Sequence, residues 1–288
     1  MADLTFFSKT PINCPLCDTS FYREELRTGR GRLNAGNLTR ELRRTYVPSQ
    51  KYGEVFPLLY PITVCPSCFY AAFQADFLEI SEQAVEKLRS TEQERIGGAN
   101  LIFENLDFTA PRGLEEGCAS YYLAVESYDA FSKEFAPAFK QGLCCLRAAW
   151  LCNDLQAKRS NDNYDYLANT FYRKARYFYA YAIELETKGQ QNLSNAGNLG
   201  PDLDKNYGYD GVLYLTGLLE FHHGPSTDPE KRRVALTRAK RTVARIFGMG
   251  RASKDKPAAI LDNARDVYDE ITRALGEEKS DPETANVE

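Results

Sequence analysis

Apolar residues recur every three or four positions through most of the chain after residue 75, which is the periodicity of amphipathic α-helices. In the first such segment, Phe77, Ile80, Ala84 and Leu88 fall on one face. The pattern predicts seven helices, at about 75–95, along Tyr121–Phe131, and at about 138–156, 163–187, 209–222, 230–247 and 257–275. Pro257 is expected in a first helical turn. The stretch 188–207, rich in asparagine and glycine, is expected to be a loop.

Small and aromatic residues repeat along these helices. The order of a small residue, a large aromatic and a small or medium residue, at spacings of four and three, occurs in Ala124–Tyr128–Phe131 and in Ala175–Tyr179–Ala182. This order is typical of the second helix of a tetratricopeptide repeat, where the small residue lets two helices approach closely. We therefore predict a mainly α fold that contains a tetratricopeptide-like α–α superhelix. A generic helical bundle is the alternative.

Residues 1–75 follow a different pattern, with many prolines and no helical period. The apolar run 56–64 predicts a short strand. We expect three parts: a small β head at 1–75, a helical domain at 76–275, and an acidic, polar tail at 276–288 that frays.

Two Cys-Pro-x-Cys pairs lie in the predicted head, formed by Cys14 with Cys17 and by Cys65 with Cys68. Each pair bends the backbone so that two sulfurs face one ion, and two pairs supply the four soft ligands that Zn²⁺ prefers. The pattern predicts a Cys₄ zinc ribbon with one structural zinc ion per chain. A thiol–disulfide redox centre is the alternative reading of the same motif.

The other four cysteines lie within predicted helices. Because adjacent helical residues diverge by about 100°, Cys144 and Cys145 cannot easily face one point. Buried free cysteine is a common small core residue. We expect all four to pack in the core, namely Cys118, Cys144, Cys145 and Cys152.

Composition narrows the class of protein. The chain has 288 residues, is 43% hydrophobic and carries a net charge of −4, which is ordinary for a globular protein and gives no global signal for a nucleic-acid or membrane partner. The N-terminus has no basic region followed by an apolar run, and no segment approaches the length of a membrane span. Eight cysteines without a secretion signal indicate reduced thiols and a cytoplasmic location.

Basic residues cluster in two segments, 23–51 and 231–256. In the second, Arg238, Arg241 and Arg245 share one helix face. The opposite, buried face is predicted to carry Ala235, Ala239, Thr242 and Ile246. A solvated basic surface is the ordinary explanation of such a face. The functional explanation is an anion-binding wall for an acidic peptide or a terminal carboxylate, because guanidinium groups hold carboxylates bidentately.

No residue set indicates catalysis. The two histidines, His222 and His223, are adjacent at the predicted end of a helix, where cations are favoured, and we expect a structural role for both. The chain lacks a His-Glu-x-x-His motif, a phosphate-binding glycine-rich loop and a nucleophile elbow. We therefore expect a protein that is not an enzyme.

An ordered set of motifs resembles a bacterial family known only as a domain of unknown function. The set consists of Cys14-Pro-Leu-Cys17, then Tyr60-Pro61, the segment Val64–Phe73, and Ala148-Ala149-Trp150-Leu151. The resemblance covers most of residues 10–190. It implies two Cys-Pro-x-Cys knuckles followed by tetratricopeptide-like helices, with the four cysteines as metal ligands. It implies no activity. The family usually has glycine where Phe69 stands here.

These observations favour a non-catalytic protein-interaction module or scaffold, stabilised by zinc, that binds a partner peptide in or beside the groove of the helical repeats. A nucleic-acid-binding protein that uses the zinc ribbon and the basic segments is one alternative. A thiol–disulfide redox protein is the other. The sequence does not identify the partner or the oligomeric state.

Overall fold

The structure is a computed structural model that describes residues 4–247 and 258–277. The described strands are β1 Thr5–Phe7, β2 Ile12–Asn13, β3 Ser20–Phe21, β4 Glu24–Leu26, β5 Ala35–Leu38, β6 Arg44–Tyr46, β7 Ile62–Val64 and β8 Ala71–Phe73. The described α-helices are α1 Glu82–Ser90, α2 Glu92–Ile102, α3 Leu114–Tyr128, α4 Pro137–Lys158, α5 Tyr164–Thr187, α6 Gly208–His223, α7 Pro229–Ala244 and α8 Ala258–Ala274.

The strands form four separate two-stranded antiparallel sheets, β1 with β4, β2 with β3, β5 with β6, and β7 with β8. Two-stranded hairpins are marginal by themselves in water, so this region depends on packing against helices and on the cysteine cluster. The expected fold class, mainly α with a small N-terminal β region that carries the cysteines, is confirmed.

The helices pack in chain order. Helix α4 lies between α3 and α5, α6 contacts α5 and α7, and α8 contacts both α6 and α7. Close approach depends on glycines. A Cβ on Gly142 of α4 would lie 2.9 Å from Tyr179 Cδ2 of α5, and one on Gly217 of α6 would lie 2.2 Å from Val243 Cγ2 of α7. At these two places a small residue on one helix faces a larger one on the next, while the alanine–aromatic order and tetratricopeptide repeats stay predictions.

The core continues from the cysteine region into the helices as one cluster of buried residues, which runs from Cys14 to Ile271. The large side chains Tyr70, Tyr121, Trp150 and Tyr214 are buried almost completely. A buried ion pair joins the two regions, because Lys140 of α4 donates to the Asp76 carboxylate at 2.6 Å.

The first predicted helix, 75–95, is wrong in its first third. Residues 75–81 form a turn, and the helix begins after Ser81, whose hydroxyl accepts the N–H of Ala84 as an N-cap. Phe77 precedes the helix, where its carbonyl accepts the Tyr70 hydroxyl at 3.1 Å and its ring packs on that of Tyr70. Phe77 is therefore apolar because it is buried in the turn, although its spacing from Ile80 and Ala84 also suits a helix.

Other bounds shift less. The run predicted as a strand, 56–64, is a 3₁₀ turn at Pro57–Leu59 followed by β7, and Phe131 lies beyond the end of α3. The loop 188–207 contains a short 3₁₀ helix at Leu193–Ala196. Pro257 and residues 278–288, which include most of the predicted tail, lie outside the described residues.

The chain between the two cysteine pairs sends a hairpin into the helices. We call residues 39–43, which join β5 to β6, the hairpin tip. Leu42 in this tip is fully buried and has a left-handed φ of 60°. The Tyr214 hydroxyl of α6 donates to the Arg40 carbonyl at 2.7 Å, and the Arg40 side chain pairs with Glu270 of α8 at 2.9 Å. The tip therefore packs on helices far along the chain.

Among the described residues, no helix has both the length and the apolar character that crossing a lipid bilayer requires.

Candidate metal centre

Two β-hairpins carry the four predicted ligands. In the first, β2 pairs with β3 across the turn that holds Cys14 and Cys17. In the second, β7 pairs with β8 across the turn that holds Cys65 and Cys68. Apolar and β-branched residues in β7 and β8 fix the second hairpin, which is buried on both faces over most of its length. We call these two turns the first and second knuckles.

The residue after each second cysteine has the conformation that glycine favours. Asp18 has a φ of 60° and Phe69 has a φ of 56°. Their N–H groups donate to the carbonyls of Cys14 and Cys65 at 2.9 and 3.0 Å, which closes each knuckle. The absence of glycine therefore leaves the turn geometry intact, at a strain of about 1 kcal/mol per residue.

The sulfur atoms converge on one point. Cys14 Sγ lies 3.6 Å from Cys68 Sγ, and Cys17 Sγ lies 3.6 Å from Cys65 Sγ. All four lie within 4.8 Å of one another. Four sulfurs about 2.3 Å from a central ion in a tetrahedron are separated by about 3.8 Å, so the donor set fits a single four-coordinate metal ion. The shortest contacts join sulfurs of different knuckles, which is the arrangement of one shared site.

Three thiols of this cluster affect one another's ionisation. Hydrogen bonding to the neighbouring thiols lowers the pKa of Cys65, first through Cys14 and then through Cys68. The contact with Cys65 raises the pKa of Cys14, and the contact with Cys14 raises the pKa of Cys68. Ionisation of one thiol thus disfavours ionisation of its neighbours. A bound divalent ion would allow all four to be deprotonated.

Two arginines from the helices hold the knuckle backbones. Arg89 of α1 donates to the Leu16 carbonyl in the first knuckle. Arg95 of α2 is 4% exposed and donates to the Cys68 carbonyl through Nε at 3.1 Å and Nη2 at 2.8 Å. These carbonyls accept hydrogen bonds from charged guanidinium groups. The two knuckles are therefore fixed to α1 and α2 as well as to each other. Sequence analysis missed both arginines, since helical periodicity gives no sign of a contact with a distant turn.

Comparison with known proteins finds a matching family and a relative that aligns along most of the chain. The family model described as an uncharacterized protein conserved in bacteria (DUF2225) matches residues 7–271. The chain belongs to this family. A relative described as an uncharacterized protein of Borreliella burgdorferi is 43% identical over 276 residues, which is 96% of this chain and 99% of the relative. No solved structure matches the chain.

The four remaining cysteines of this family member are all buried. Cys118 of α3 and Cys152 of α4 face each other, with their Sγ atoms 2.8 Å apart, and burial raises the pKa of Cys118 well above its usual value. Burial likewise raises the pKa of Cys145, to about 12. Neutral thiols of this kind behave as small core residues. The sequence did not indicate that Cys118 and Cys152 are neighbours.

The three arginines predicted to bind a partner lie at the C-terminal end of α7 and just beyond it. Arg238, Arg241 and Arg245 are all exposed, and Arg245 donates to the Tyr209 hydroxyl at 3.0 Å. Arg238 and Arg241 form no ion pair with any residue that the structure describes. On the opposite face Ala239 and Ile246 are buried, whereas Ala235 and Thr242 are half-buried.

The other basic segment behaves differently. Arg43 donates two hydrogen bonds to the Asp154 carboxylate of α4, from Nη1 to Oδ1 at 3.2 Å and from Nη2 to Oδ2 at 2.5 Å. Arg44 donates from Nε to Asp204 at 2.8 Å, in the loop that precedes α6. Glu41, which lies between Arg40 and Arg43 in the sequence, accepts hydrogen bonds from Trp150 and Tyr172. Sequence analysis missed these pairs, because their partners lie more than 100 residues away.

The two histidines lie in the last turn of α6, as expected. The His223 ring stacks on Tyr172 at a centroid distance of 4.2 Å. Burial, with positive charge from His222 and nearby arginines, lowers the pKa of His223 to about 4. A neutral, stacked imidazole fits a structural role.

Proposed function

We propose that the protein is a non-catalytic interaction module whose N-terminal region is stabilised by one structural zinc ion. Cys14, Cys17, Cys65 and Cys68 would be the ligands. Zn²⁺ is the ion favoured by four thiolates in a tetrahedral arrangement, and four protein ligands leave no open position for a substrate. Thiols kept for a metal require a reducing compartment, so the proposal includes a cytoplasmic location.

The metal has a clear energetic role in this proposal. The four sheets of the N-terminal region have only two strands each and cannot form a stable core independently. Metal binding requires the folded arrangement of ligands, so its free energy becomes folding free energy. The arrangement of the sulfurs in a single cluster also argues against the redox alternative, which would need a dithiol pair that opens and closes independently.

One observation carries the choice of partner surface: Arg40 and Arg43 of the hairpin tip form ion pairs within the fold, whereas Arg238 and Arg241 form none with the described residues. The hairpin tip occupies the face shared by α4, α5, α6 and α8, and it is held there by ion pairs and hydrogen bonds. An extended peptide would have to displace it. Arg238 and Arg241 are exposed and form no ion pair within the described residues, so they remain able to bind a carboxylate.

We therefore propose that α7 presents this face to an acidic partner peptide or a terminal carboxylate, beside the helical groove and outside it. Exposed guanidinium groups give specificity and association rate more than affinity, so the partner contact is expected to depend on salt.

The experiment is an affinity purification from the native bacterium with quantitative mass spectrometry. The bait is the full chain, as the wild type, as Arg238→Glu/Arg241→Glu, and as Arg233→Glu. Arg233 is a matched control, because it is exposed on the same helix but paired with Glu230 at 2.7 Å. We expect specific partners of acidic character whose recovery falls at least about tenfold with the double variant and is unchanged with the control.

Recovery that does not change with the double variant would refute this surface. Retention of the wild-type protein on double-stranded DNA, lost steeply between about 50 and 200 mM salt, would instead support the nucleic-acid alternative.

A further inference from the structure

A cleft of about 310 Å³ lies in the N-terminal region, between β4, the segment 57–64 and the residues that precede α3. Its walls are mixed: Phe21, Ile62, Val64 and Phe108 supply apolar surface, and polar and charged residues supply the rest. A cleft of this size accommodates a small molecule or a single side chain. It is separate from the cysteine cluster and from the basic face of α7, because neither contributes a residue to its lining.

Glu24 is an unusual residue to find in this wall. It is 7% exposed, and its Oε2 accepts the main-chain N–H of Arg112 at 2.9 Å. Its Oε1 is buried and has no hydrogen-bond partner among the described residues. Buried carboxylate oxygens are nearly always paired, so this oxygen calls for a donor, and the residue that carries it lines the cleft.

Arg112 supplies the opposite charge in the same cleft. Its Nη1 donates to the carbonyls of Leu59 at 3.2 Å and Ile62 at 2.7 Å, which holds the guanidinium beside the ring of Phe108. Its Nε and Nη2 make no hydrogen bond to any other described side chain or carbonyl. The guanidinium therefore retains donors for an anion, in a fixed position.

The remaining charges in the cleft wall cancel. Arg23 pairs with Glu25 at 3.1 Å, and the Gln74 amide oxygen accepts from the same guanidinium when the amide is oriented to satisfy both groups. The Arg23 Nε is buried and unpaired. Tyr60 lines the same cleft, and burial and then the Glu24 charge raise the pKa of its hydroxyl to about 12. The cleft thus offers one carboxylate, one guanidinium and a neutral hydroxyl.

We infer that this cleft binds a small zwitterion, specifically a free α-amino acid with an apolar side chain. The ammonium group would donate to Glu24 Oε1, the carboxylate would accept from Arg112, and the side chain would lie against the apolar wall. Glu24 and Arg112 already offset each other's charge, and a ligand with a single charge would satisfy the hydrogen-bonding atoms of only one of them. This inference goes beyond the interaction function and does not depend on it.

The test is isothermal titration calorimetry of the full-length, metal-loaded protein with L-leucine, L-isoleucine, L-valine, L-methionine and L-phenylalanine. Two analogues of leucine isolate the charges: isoamylamine lacks the carboxylate, and 4-methylpentanoate lacks the ammonium group. We expect at least one of the amino acids to bind with a Kd below about 1 mM, and each analogue to bind at least about tenfold more weakly.

The matched variant is Glu24→Gln, which preserves the shape and an oxygen acceptor for the Arg112 N–H but removes the charge. It should weaken binding at least about tenfold, whereas Glu54→Gln, at an exposed glutamate outside the cleft, should not. Near-ultraviolet circular dichroism and metal content establish that both variants are folded.

The inference is overturned if none of the five amino acids binds at millimolar concentration, which would assign Oε1 to an internal water. It is also overturned if Glu24→Gln binds as the wild type does, or if isoamylamine binds as tightly as leucine. None of these results bears on α7, so failure here leaves the interaction proposal to its own test.

Discussion

The hairpin tip and helix α7 are both rich in arginine, yet the fold uses them in opposite ways. In the tip, Arg40, Glu41 and Arg43 form ion pairs and hydrogen bonds with helices α4, α5, α6 and α8, around a fully buried Leu42. On α7, Arg238 and Arg241 extend from a helix whose other face is buried, and the described residues offer them no carboxylate within ion-pair distance. A run of like charges in a sequence therefore indicates a binding surface only when the fold leaves it without internal partners.

The physical reason for the difference lies in what surrounds each segment. Residues 23–51 extend from the two cysteine hairpins toward the helices. The hairpin tip and the adjacent Arg44 therefore contact the acidic groups Asp154, Asp202 and Glu270. Helix α7 contacts chiefly α6 and α8 through apolar side chains, and its polar face points away from them. The comparison can be tested by removing charges from each region and measuring stability and binding separately.

The largest effect on stability is expected for Arg43→Ala. This change breaks a two-pronged pair that is about four-fifths buried, and it also removes a donor to the Trp150 carbonyl. We expect the free energy of unfolding to fall by about 2 kcal/mol, measured by urea denaturation. Asp154→Ala and the double variant complete a cycle, and additive losses would contradict direct coupling between the two residues.

A smaller effect on stability, dependent on pH, is expected at Glu41. Burial raises the pKa of this carboxyl, although hydrogen bonds from Trp150 and Tyr172 partly oppose the shift. Since the folded-state pKa is higher than the unfolded one, the contribution to stability is present below the unfolded pKa and is lost as pH rises through the folded pKa.

Glu41→Gln should therefore flatten the dependence of stability on pH between about 4 and 7, followed by urea denaturation at each pH. Glu54→Gln, which changes an exposed glutamate, should leave the dependence as it is. An equal slope in the wild type and in Glu41→Gln would show that this carboxyl does not titrate abnormally.

The smallest effect on stability is expected on α7. Arg241→Glu changes an exposed residue without an ion pair among the described residues, so the free energy of unfolding should change by no more than about 0.5 kcal/mol. Partner recovery should nevertheless fall. A loss of stability as large as that of Arg43→Ala would remove the distinction between the two segments.

Much of this fold follows from local patterns. Apolar periodicity places α4 to α8 within a few residues, and two Cys-Pro-x-Cys pairs predict a shared sulfur cluster. The error at 75–95 arose because Phe77 is buried in a turn at a spacing that also suits a helix. The capping residue Ser81 was the sequence signal for the true start.

Long-range contacts could not be predicted in the same way. The sequence of the hairpin tip is typical of a solvated basic loop. No pattern in the neighbouring residues indicates that Leu42 is fully buried or that Glu41 accepts a hydrogen bond from Trp150. The unpaired oxygen of Glu24 is visible only when the cleft is assembled from β4, β7 and the segment before α3. Such sites form where segments far apart in the chain pack together, and a single sequence does not show directly which segments do so.

The sulfur cluster is the central claim, and the metal content of purified protein tests it most directly. Inductively coupled plasma mass spectrometry on folded protein, prepared without chelators and under reducing conditions, should give one zinc per chain. The Cys17→Ser and Cys68→Ser variants, one from each knuckle, should each lose it. Folded, reduced protein without bound metal would contradict the account, and so would folded protein in which Cys14–Cys17 and Cys65–Cys68 are two disulfides.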